Sequence, residues 1–168
     1  MGDGLRILCI AKRWYTNKDA LSERFGRVFE LPARWHRSGH PARVELIDYR
    51  GAALTRVSDA GMTITSHPWW SPATPLRLRR SARQFAPDVV VASGDCVMGL
   101  VGLALARACG ARFVFDAYDD YRSFGSFGLF LGWDAFAWLC RHSDLVLYAS
   151  ASLAALHAWT SPLHVAGN

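Results

Sequence analysis

Three aspartates lie close together near the middle of the chain: Asp116, Asp119 and Asp120. Carboxylates at this spacing can act as a general base, orient a hydroxyl group or hold a metal ion. Because like charges raise one another's pKa, such a group also suits proton transfer near neutral pH. Aspartates favour turns and helix caps equally well, so both interpretations stay open. Asp119 leads the catalytic candidates, ahead of Asp120, because residues 121–125 have the composition of a shaped loop.

A second candidate segment, residues 12–18, combines cations, aromatic rings and an amide. Aromatic faces stack on sugar C–H groups, and cations pair with phosphate or carboxylate. The segment therefore suits a sugar or an anion. The alternative is an ordinary solvated loop with Trp14 packed against the core.

Several families of enzyme are disfavoured by missing motifs. The segment after the first predicted strand lacks G-x-G-x-x-G, and no P-loop is present, which argues against a dehydrogenase or a P-loop ATPase. The G-x-S-x-G turn of many hydrolases is also missing. Six scattered histidines and four cysteines without a C-x-x-C pair predict neither a metal site nor a disulfide framework. We therefore expect no metal and no cofactor.

Composition indicates a folded, reduced protein with a preference for anions. Basic residues outnumber acidic ones by 19 to 14, a net charge of +5, and 51% of residues are apolar. Only two of the basic residues are lysines, and such an arginine excess suits phosphates or membrane headgroups unless it merely reflects composition. The N-terminus does not have the pattern of a signal peptide, and no apolar run reaches the length of a membrane span. We expect a cytoplasmic protein.

Apolar runs alternate with amphipathic segments, which is typical of βαβ units and predicts a doubly wound, mainly parallel α/β sheet in one domain over residues 1–168. Ligands bind such sheets beyond the carboxyl ends of the strands. Residues 50–61 receive no assignment, residues 67–72 are expected to form a loop, residues 116–122 an acidic loop, and residues 164–167 the start of a further element. The predicted strands are 5–11, 44–49, 62–66, 89–92, 112–115 and 145–148. The predicted helices are 20–37 with a weak point at Pro32, 76–85 after a Thr74 cap and Pro75, 97–109, 127–141, and 153–159 capped by Ser150.

An aromatic-rich run, residues 124–140, is interrupted by a single charge at Asp134. A helix that is apolar all round is normally buried in a core. The alternatives are a contact with another domain or with a membrane surface.

Five stretches, in this order, resemble the N-terminal domain of family 4 glycosyltransferases. They are RILCIA at residues 6–11, RSGH at 37–40 before the second strand, FAPDVV at 85–90, VFDAYDDY at 114–121, and SDLVL at 143–147 with Ser150. The segment 165–168 is similar to the family's crossover to a second domain. Two departures stand out: Tyr118 occupies the place of a histidine found in many members, and the Gly-Gly pair after the first strand is missing.

The resemblance implies two facing Rossmann-like domains and transfer of a sugar from a nucleotide-sugar to an acceptor, usually with retention. In the family, the N-terminal half mainly holds the acceptor, so we expect the donor to bind mostly to a C-terminal domain outside this chain and the chain to be inactive alone. Asp119 would orient the acceptor hydroxyl, with Asp120 beside it. The expected acceptor-binding residues are Arg13, Trp14, Asn17, Lys18, Gly94, Asp95, Tyr118 and Arg122.

Two hypotheses from different classes remain. The first is the acceptor-binding half of a retaining glycosyltransferase, with a sugar, a glycan or a lipid-linked molecule as acceptor and with peripheral contact to the inner membrane face left open. The second is a non-catalytic, flavodoxin-like binding module. Neither predicts a nucleic-acid partner.

Overall fold

A central sheet of eight strands forms the core of the protein, in the order β12-β11-β8-β7-β1-β4-β6-β5. The computed structural model describes residues 4–119, 129–130, 133–156 and 163–165. All neighbouring strands pair in parallel except β5, which is antiparallel to β6. The sheet strands are β1 (Ile7–Lys12), β4 (Ala42–Asp48), β5 (Thr55–Asp59), β6 (Met62–Pro68), β7 (Val89–Ser93), β8 (Arg112–Ala117), β11 (Leu145–Tyr148) and β12 (Leu163–Val165).

Helices cover both faces of this sheet, so the predicted doubly wound α/β fold is confirmed. Alternate residues of β1 enter different clusters: Leu8 and Ile10 pack with α2, α3 and α4, whereas Ile7 and Cys9 pack with α1. A strand buried on both faces needs a continuous apolar run, which is the signal that the sequence carries. The helices are α1 (Arg27–Arg37), α2 (Thr74–Phe85), α3 (Cys96–Cys109), α4 (Ala135–His142) and α5 (Ala151–Leu156).

The first helix begins later than residue 20, the predicted start, because a hairpin precedes it. Strands β2 (Trp14–Tyr15) and β3 (Lys18–Asp19) pair antiparallel around Thr16, whose φ is 54°. Gly26, with φ of 80°, stands immediately before α1. Pro32 lies inside α1 without ending it. Of residues 20–25, only Ala20 and Leu21 are buried, and Phe25 is 44% exposed, so the apolar residues there do not continue the buried face of a helix.

The unassigned segment 50–61 contains the edge strand β5, which the sequence analysis missed. Ala60 and Gly61 connect β5 to β6 with φ of 46° and 91°. Positive φ at both central residues is the signature of the two-residue hairpin turn whose twist matches its strands. This turn has no Asn-Gly or Asp-Gly pair, so the usual sequence signal was absent.

Strand β6 runs two residues into the predicted 67–72 loop. His67 is buried there, and its Nε2 lies 2.6 Å from the carboxylate of Glu45 on β4. The predicted Thr74 cap is wrong: Thr74 is inside α2, and its hydroxyl donates to the carbonyl of Pro68 at 2.7 Å. Pro75 does occupy the first turn of α2.

The segments after β8 also differ from the predictions. Asp116 belongs to β8, not to an acidic loop, and is fully buried. Helix α4 starts at Ala135 instead of residue 127, after the hairpin strands β9 (Leu129–Phe130) and β10 (Trp133–Asp134), and Asp134 caps it. Ser150 accepts a hydrogen bond from the Leu153 N–H, so its predicted cap is confirmed. Within the described part of the chain, no helix has the length and apolar character to cross a bilayer.

Candidate functional site

The strand order reverses at β1, which places a crevice between the carboxyl ends of β1 and β7. From β1 the chain proceeds outward through β4 and β6, and then returns to β7 on the other side of β1. Open α/β sheets bind ligands at such a reversal. The residues that leave the sheet there are Lys12 from β1 and Gly94 and Asp95 after β7.

Lys12 and Asp95 form an ion pair across this crevice. The Asp95 side chain is only 5% exposed, and its Oδ1 also accepts hydrogen bonds from the backbone N–H groups of Val97 and Met98 at 3.1 and 3.2 Å. Those contacts cap helix α3, whose positive dipole end further favours the carboxylate. Asp95 is therefore held in one orientation by three donors. Lys12 was not among the predicted site residues, although its place directly after the first strand was a usable signal.

A cavity of about 330 Å³ adjoins the ion pair and is lined by Lys12, Asp95, Tyr49, Trp69 and Val97. The rings of Tyr49 and Trp69 are 5.2 Å apart, and the Lys12 ammonium is 5.5 Å from the Tyr49 ring centre. Burial, with the nearby charge of Asp95, raises the pKa of Tyr49. Its phenol thus stays protonated and can donate a hydrogen bond. Two aromatic walls beside a fixed charge pair suit a saccharide.

The Arg13 guanidinium is engaged by the protein's own carboxylates. It donates to Asp19 at 2.9 and 2.7 Å, to Asp48 at 3.1 Å, and to the Ser66 hydroxyl at 3.3 Å. The indole N–H of Trp14 also donates to Asp48, at 3.0 Å. These contacts fasten the β2–β3 hairpin to the end of β4.

The pKa values of both carboxylates reflect this fastening. Burial works against ionisation of Asp19, but hydrogen bonds from Arg13, from the Leu21 N–H and from Ser22 lower its pKa to about 2. The pKa of Asp48 is also lowered, against the effect of burial, by hydrogen bonds from the backbone N–H groups of Gly51 and Arg50 and from the Trp14 indole, and by the charge of Arg13. Both groups are ionised at neutral pH, so they keep the guanidinium engaged.

Tyr15 joins two predicted site residues, Gly94 and Tyr118. Its ring packs edge-on against Tyr118 with centres 5.4 Å apart. A Cβ added to Gly94 would lie 3.3 Å from the Tyr15 hydroxyl, and the φ of Gly94 is 121°, a conformation that favours glycine. The Tyr15 hydroxyl is buried with no hydrogen-bond partner within the described residues. Tyr15 lies in the candidate segment 12–18, but it was not among the expected acceptor-binding residues.

The aspartates of the predicted cluster lie in different environments. Asp116 accepts from the Arg27 guanidinium at 3.0 Å and from the Ser93 hydroxyl at 2.8 Å inside the core. Asp119 is exposed beyond the end of β8. Asp120 and Arg122 lie outside the described residues. Over the part of the chain that the structure covers, no three histidine, cysteine or acidic side chains are placed to hold a metal ion.

The remaining predicted residues lie on the hairpin. Asn17 and Lys18 are exposed, and the Lys18 ammonium pairs with Glu23 at 3.0 Å. Of the predicted set, Gly94, Asp95 and Tyr118 follow the adjacent strands β7 and β8, whereas Arg13, Trp14, Asn17 and Lys18 belong to the segment after β1. All of them leave the same edge of the sheet.

Comparison with known proteins gives a family match. Residues 26–165 match the model of the Glycosyltransferase Family 4 family. No curated protein matches the chain at a significant level.

Two solved structures resemble the chain at low identity. A probable glycerol dehydrogenase from Sinorhizobium meliloti 1021 is 17% identical with a TM-score of 0.39, and the match covers 94% of this chain and 37% of that one. A structure from E. coli, described as trehalose-6-phosphate bound with UDP-2-fluoro glucose, is 11% identical with a TM-score of 0.44, and that match covers 88% of this chain and 40% of the other. The chain therefore spans well under half the length of either structure.

Proposed function

The chain belongs to glycosyltransferase family 4, and we propose that it is the acceptor-binding half of a retaining enzyme that transfers a sugar from a nucleotide-sugar. The observation that carries this proposal is the cavity at the strand-order reversal, where the Lys12–Asp95 pair adjoins two aromatic rings. The fold's usual ligand position and a lining suited to saccharides coincide there. The nucleotide-sugar would bind mainly to a second α/β domain, and turnover would require that domain.

Asp95 is the residue best placed to bind a sugar hydroxyl. An ionised carboxylate has about four acceptor positions. Two backbone N–H groups occupy Oδ1, and Lys12 approaches Oδ2. One position on Oδ2 is then available to a hydroxyl group of the acceptor. Lys12 gives the same cavity a positive charge, which favours an acceptor that carries a phosphate or a carboxylate.

Asp119 would orient or polarise the acceptor hydroxyl that attacks the donor, with Tyr118 beside it and Asp120 following. This role is supported by the position of Asp119 after β8, next to the strand that leads to Asp95, and by its exposure. Arg13 and Trp14 would act as positioning residues, because their polar groups bind Asp19 and Asp48. The exposed Asn17 and Lys18 would contact the acceptor from the hairpin, and Arg122 would join them.

Binding of saccharides to the chain tests the proposal. Saturation-transfer NMR would be recorded with a panel of monosaccharides, their phosphates and glycosides, and with UDP-glucose as a donor-type ligand. We expect signals from members of the saccharide panel and weak or no signals from UDP-glucose. Trp69→Ala should abolish the saccharide signals, whereas the matched control Trp70→Ala should retain them, since Trp70 does not line the 330 Å³ cavity.

The outcomes separate the alternatives. If no saccharide bound, or if Trp70→Ala and Trp69→Ala had equal effects, the acceptor assignment would be wrong. Micromolar binding of UDP-glucose to this chain would contradict the division of labour between two domains. In a protein that carries both domains, Asp119→Ala should lower turnover at least about tenfold, since a general acid or base typically contributes about 10²–10⁴-fold. Unchanged turnover would remove Asp119 from the mechanism.

A further inference from the structure

An exposed surface that combines tryptophan, leucine and arginine lies on α2 and the turn before it. Trp70 is 76% exposed and Leu76 is 70% exposed, the two largest exposures among the large apolar residues described. Leu76, Arg79, Arg80 and Arg83 are spaced i, i+3, i+4 and i+7, so they share one face of the helix. We call Trp70 together with these four residues the α2 surface.

Charge on the α2 surface has one sign. No aspartate or glutamate occurs from residue 60 to residue 87. Within the described residues, none of Arg77, Arg79, Arg80 and Arg83 forms an ion pair. The three guanidinium groups of the α2 surface, with that of Arg77 beside them, make a concentrated positive field, which is complementary to an anionic partner.

An apolar cavity of about 720 Å³ lies beside the α2 surface, between α2 and α3. Leu78, Val101 and Leu105 line it, and the exposed Ala104 and Ala108 show that it reaches the surface. Trp70 and Arg79 belong to both the cavity lining and the α2 surface. The volume is in the range of small-molecule sites, and the lining is suited to hydrocarbon.

We propose that the α2 surface binds to anionic phospholipid bilayers, with its arginines at the headgroups, with Trp70 and Leu76 inserted, and with the cavity open to an acyl chain. Arginine with tryptophan and leucine on one exposed face is the composition of segments that lie in a membrane interface. Nucleic acid would leave Leu76 and the aliphatic cavity unused, and an acidic protein would not require the cavity. The proposal does not depend on the transferase assignment.

Vesicle sedimentation tests the proposal with the chain as it is. Sucrose-loaded vesicles of phosphatidylcholine alone would be compared with vesicles containing about one-third phosphatidylglycerol, a composition with a strongly negative surface potential. We expect binding to the anionic vesicles only, weakened by salt. A fluorescent single-stranded oligonucleotide and polyglutamate provide the arms for nucleic acid and acidic protein, and neither should bind with comparable strength.

Matched variants identify the surface. Each arginine near an anionic bilayer changes partitioning about fivefold, so Arg80→Gln/Arg83→Gln should weaken binding about 25-fold. Its control is Arg34→Gln/Arg37→Gln, two exposed arginines with the same spacing on α1, which packs on the opposite face of the sheet.

Trp70→Ser tests the apolar part of the surface. It should weaken vesicle binding about tenfold, within the range for loss of a large buried side chain. Its control, Leu54→Ser, removes an apolar side chain that is 47% exposed elsewhere.

Three results would overturn the proposal: no binding to anionic vesicles, equal losses in the variants and their controls, or tighter binding to the oligonucleotide or polyglutamate than to vesicles. Thermal unfolding of each variant provides the folding check, and these side chains are exposed, so melting temperatures should change little. Because Trp70 and the arginines do not line the 330 Å³ cavity, saccharide binding should survive in every variant. Failure of the bilayer-binding proposal is thus distinguishable from failure of the acceptor assignment.

Discussion

The Lys12–Asp95 pair allows a double-mutant cycle that separates helix capping from the ion pair. Asp95→Ala removes both the cap of α3 and the partner of Lys12. Loss of an N-cap costs about 1 kcal/mol. The Lys12 side chain is 28% exposed, so the ion pair lies between a surface pair and a buried one and should add about 1 kcal/mol. We expect Asp95→Ala to lower the free energy of unfolding by about 2 kcal/mol.

Asp95→Asn isolates the contribution of the ion pair with Lys12, because the amide oxygen can still accept hydrogen bonds from the N–H groups of Val97 and Met98. We expect it to cost about 1 kcal/mol, similar to Lys12→Gln. The double variant Asp95→Asn/Lys12→Gln should then be less destabilised than the sum of the two, with an interaction energy of about 1 kcal/mol. Urea unfolding followed by circular dichroism measures all four proteins.

Additivity would refute this reasoning. If the single effects summed to within about 0.3 kcal/mol of the double variant, the two side chains would not be coupled. The orientation of Asp95 would then come from the helix cap alone, and Lys12 would have no part in holding it. A cost for Asp95→Asn equal to that for Asp95→Ala would instead show that the amide does not preserve the cap.

Three further predictions concern stability. The pKa of Asp19 is lowered to about 2 from 3.8. Its carboxylate therefore contributes about 2 kcal/mol to the free energy of unfolding above pH 4, and this contribution is lost as the pH falls towards 2. Urea unfolding should show the loss in the wild type and not in Asp19→Asn. Gly99→Ala would place a Cβ 2.6 Å from Leu139 and should cost about 1–3 kcal/mol, and a neutral result would show that α3 can shift from α4. Asp116→Asn should cost about 2 kcal/mol by leaving Arg27 without its anion, and a change below about 0.5 kcal/mol in urea unfolding would contradict the ion pair.

Strand positions were predictable because burial on both faces requires continuous apolar runs. Residues 89–92 and 145–148 stand out as such runs, and the structure places β7 and β11 there. Strand β5 was not predictable in this way: its central residues are exposed, and its alternation is weak at the sheet edge. Predicted element boundaries were wrong where a local contact overrides the apolar pattern. The start of α1 is an example, because a hairpin that Arg13 fastens through Asp19 and Asp48 precedes it.

The edge of the sheet that holds the candidate site was predictable from topology, but the partners of its side chains were not. Parallel strands fix which loops converge, and Gly94, Asp95 and Tyr118 emerge there as expected. Sequence spacing does not reveal that Asp95 caps α3 while it pairs with Lys12, since that pairing joins residues 83 positions apart. It also gives no sign that Asp116, three residues before the exposed Asp119, is buried against Arg27.

These contacts change which cation is best suited to attract an anionic acceptor. The basic segment 12–18 suggested that role for Arg13, but two ionised carboxylates surround its guanidinium, which is only 17% exposed. An additional anion at Arg13 would have to displace Asp19 or Asp48, whose lowered pKa values reflect how well they are bound. Lys12, by contrast, pairs with Asp95 among the described residues and lines a cavity. An acceptor that carries a phosphate should therefore lose affinity in Lys12→Gln far more than a neutral saccharide does, whereas Arg13→Gln should weaken both equally through the hairpin.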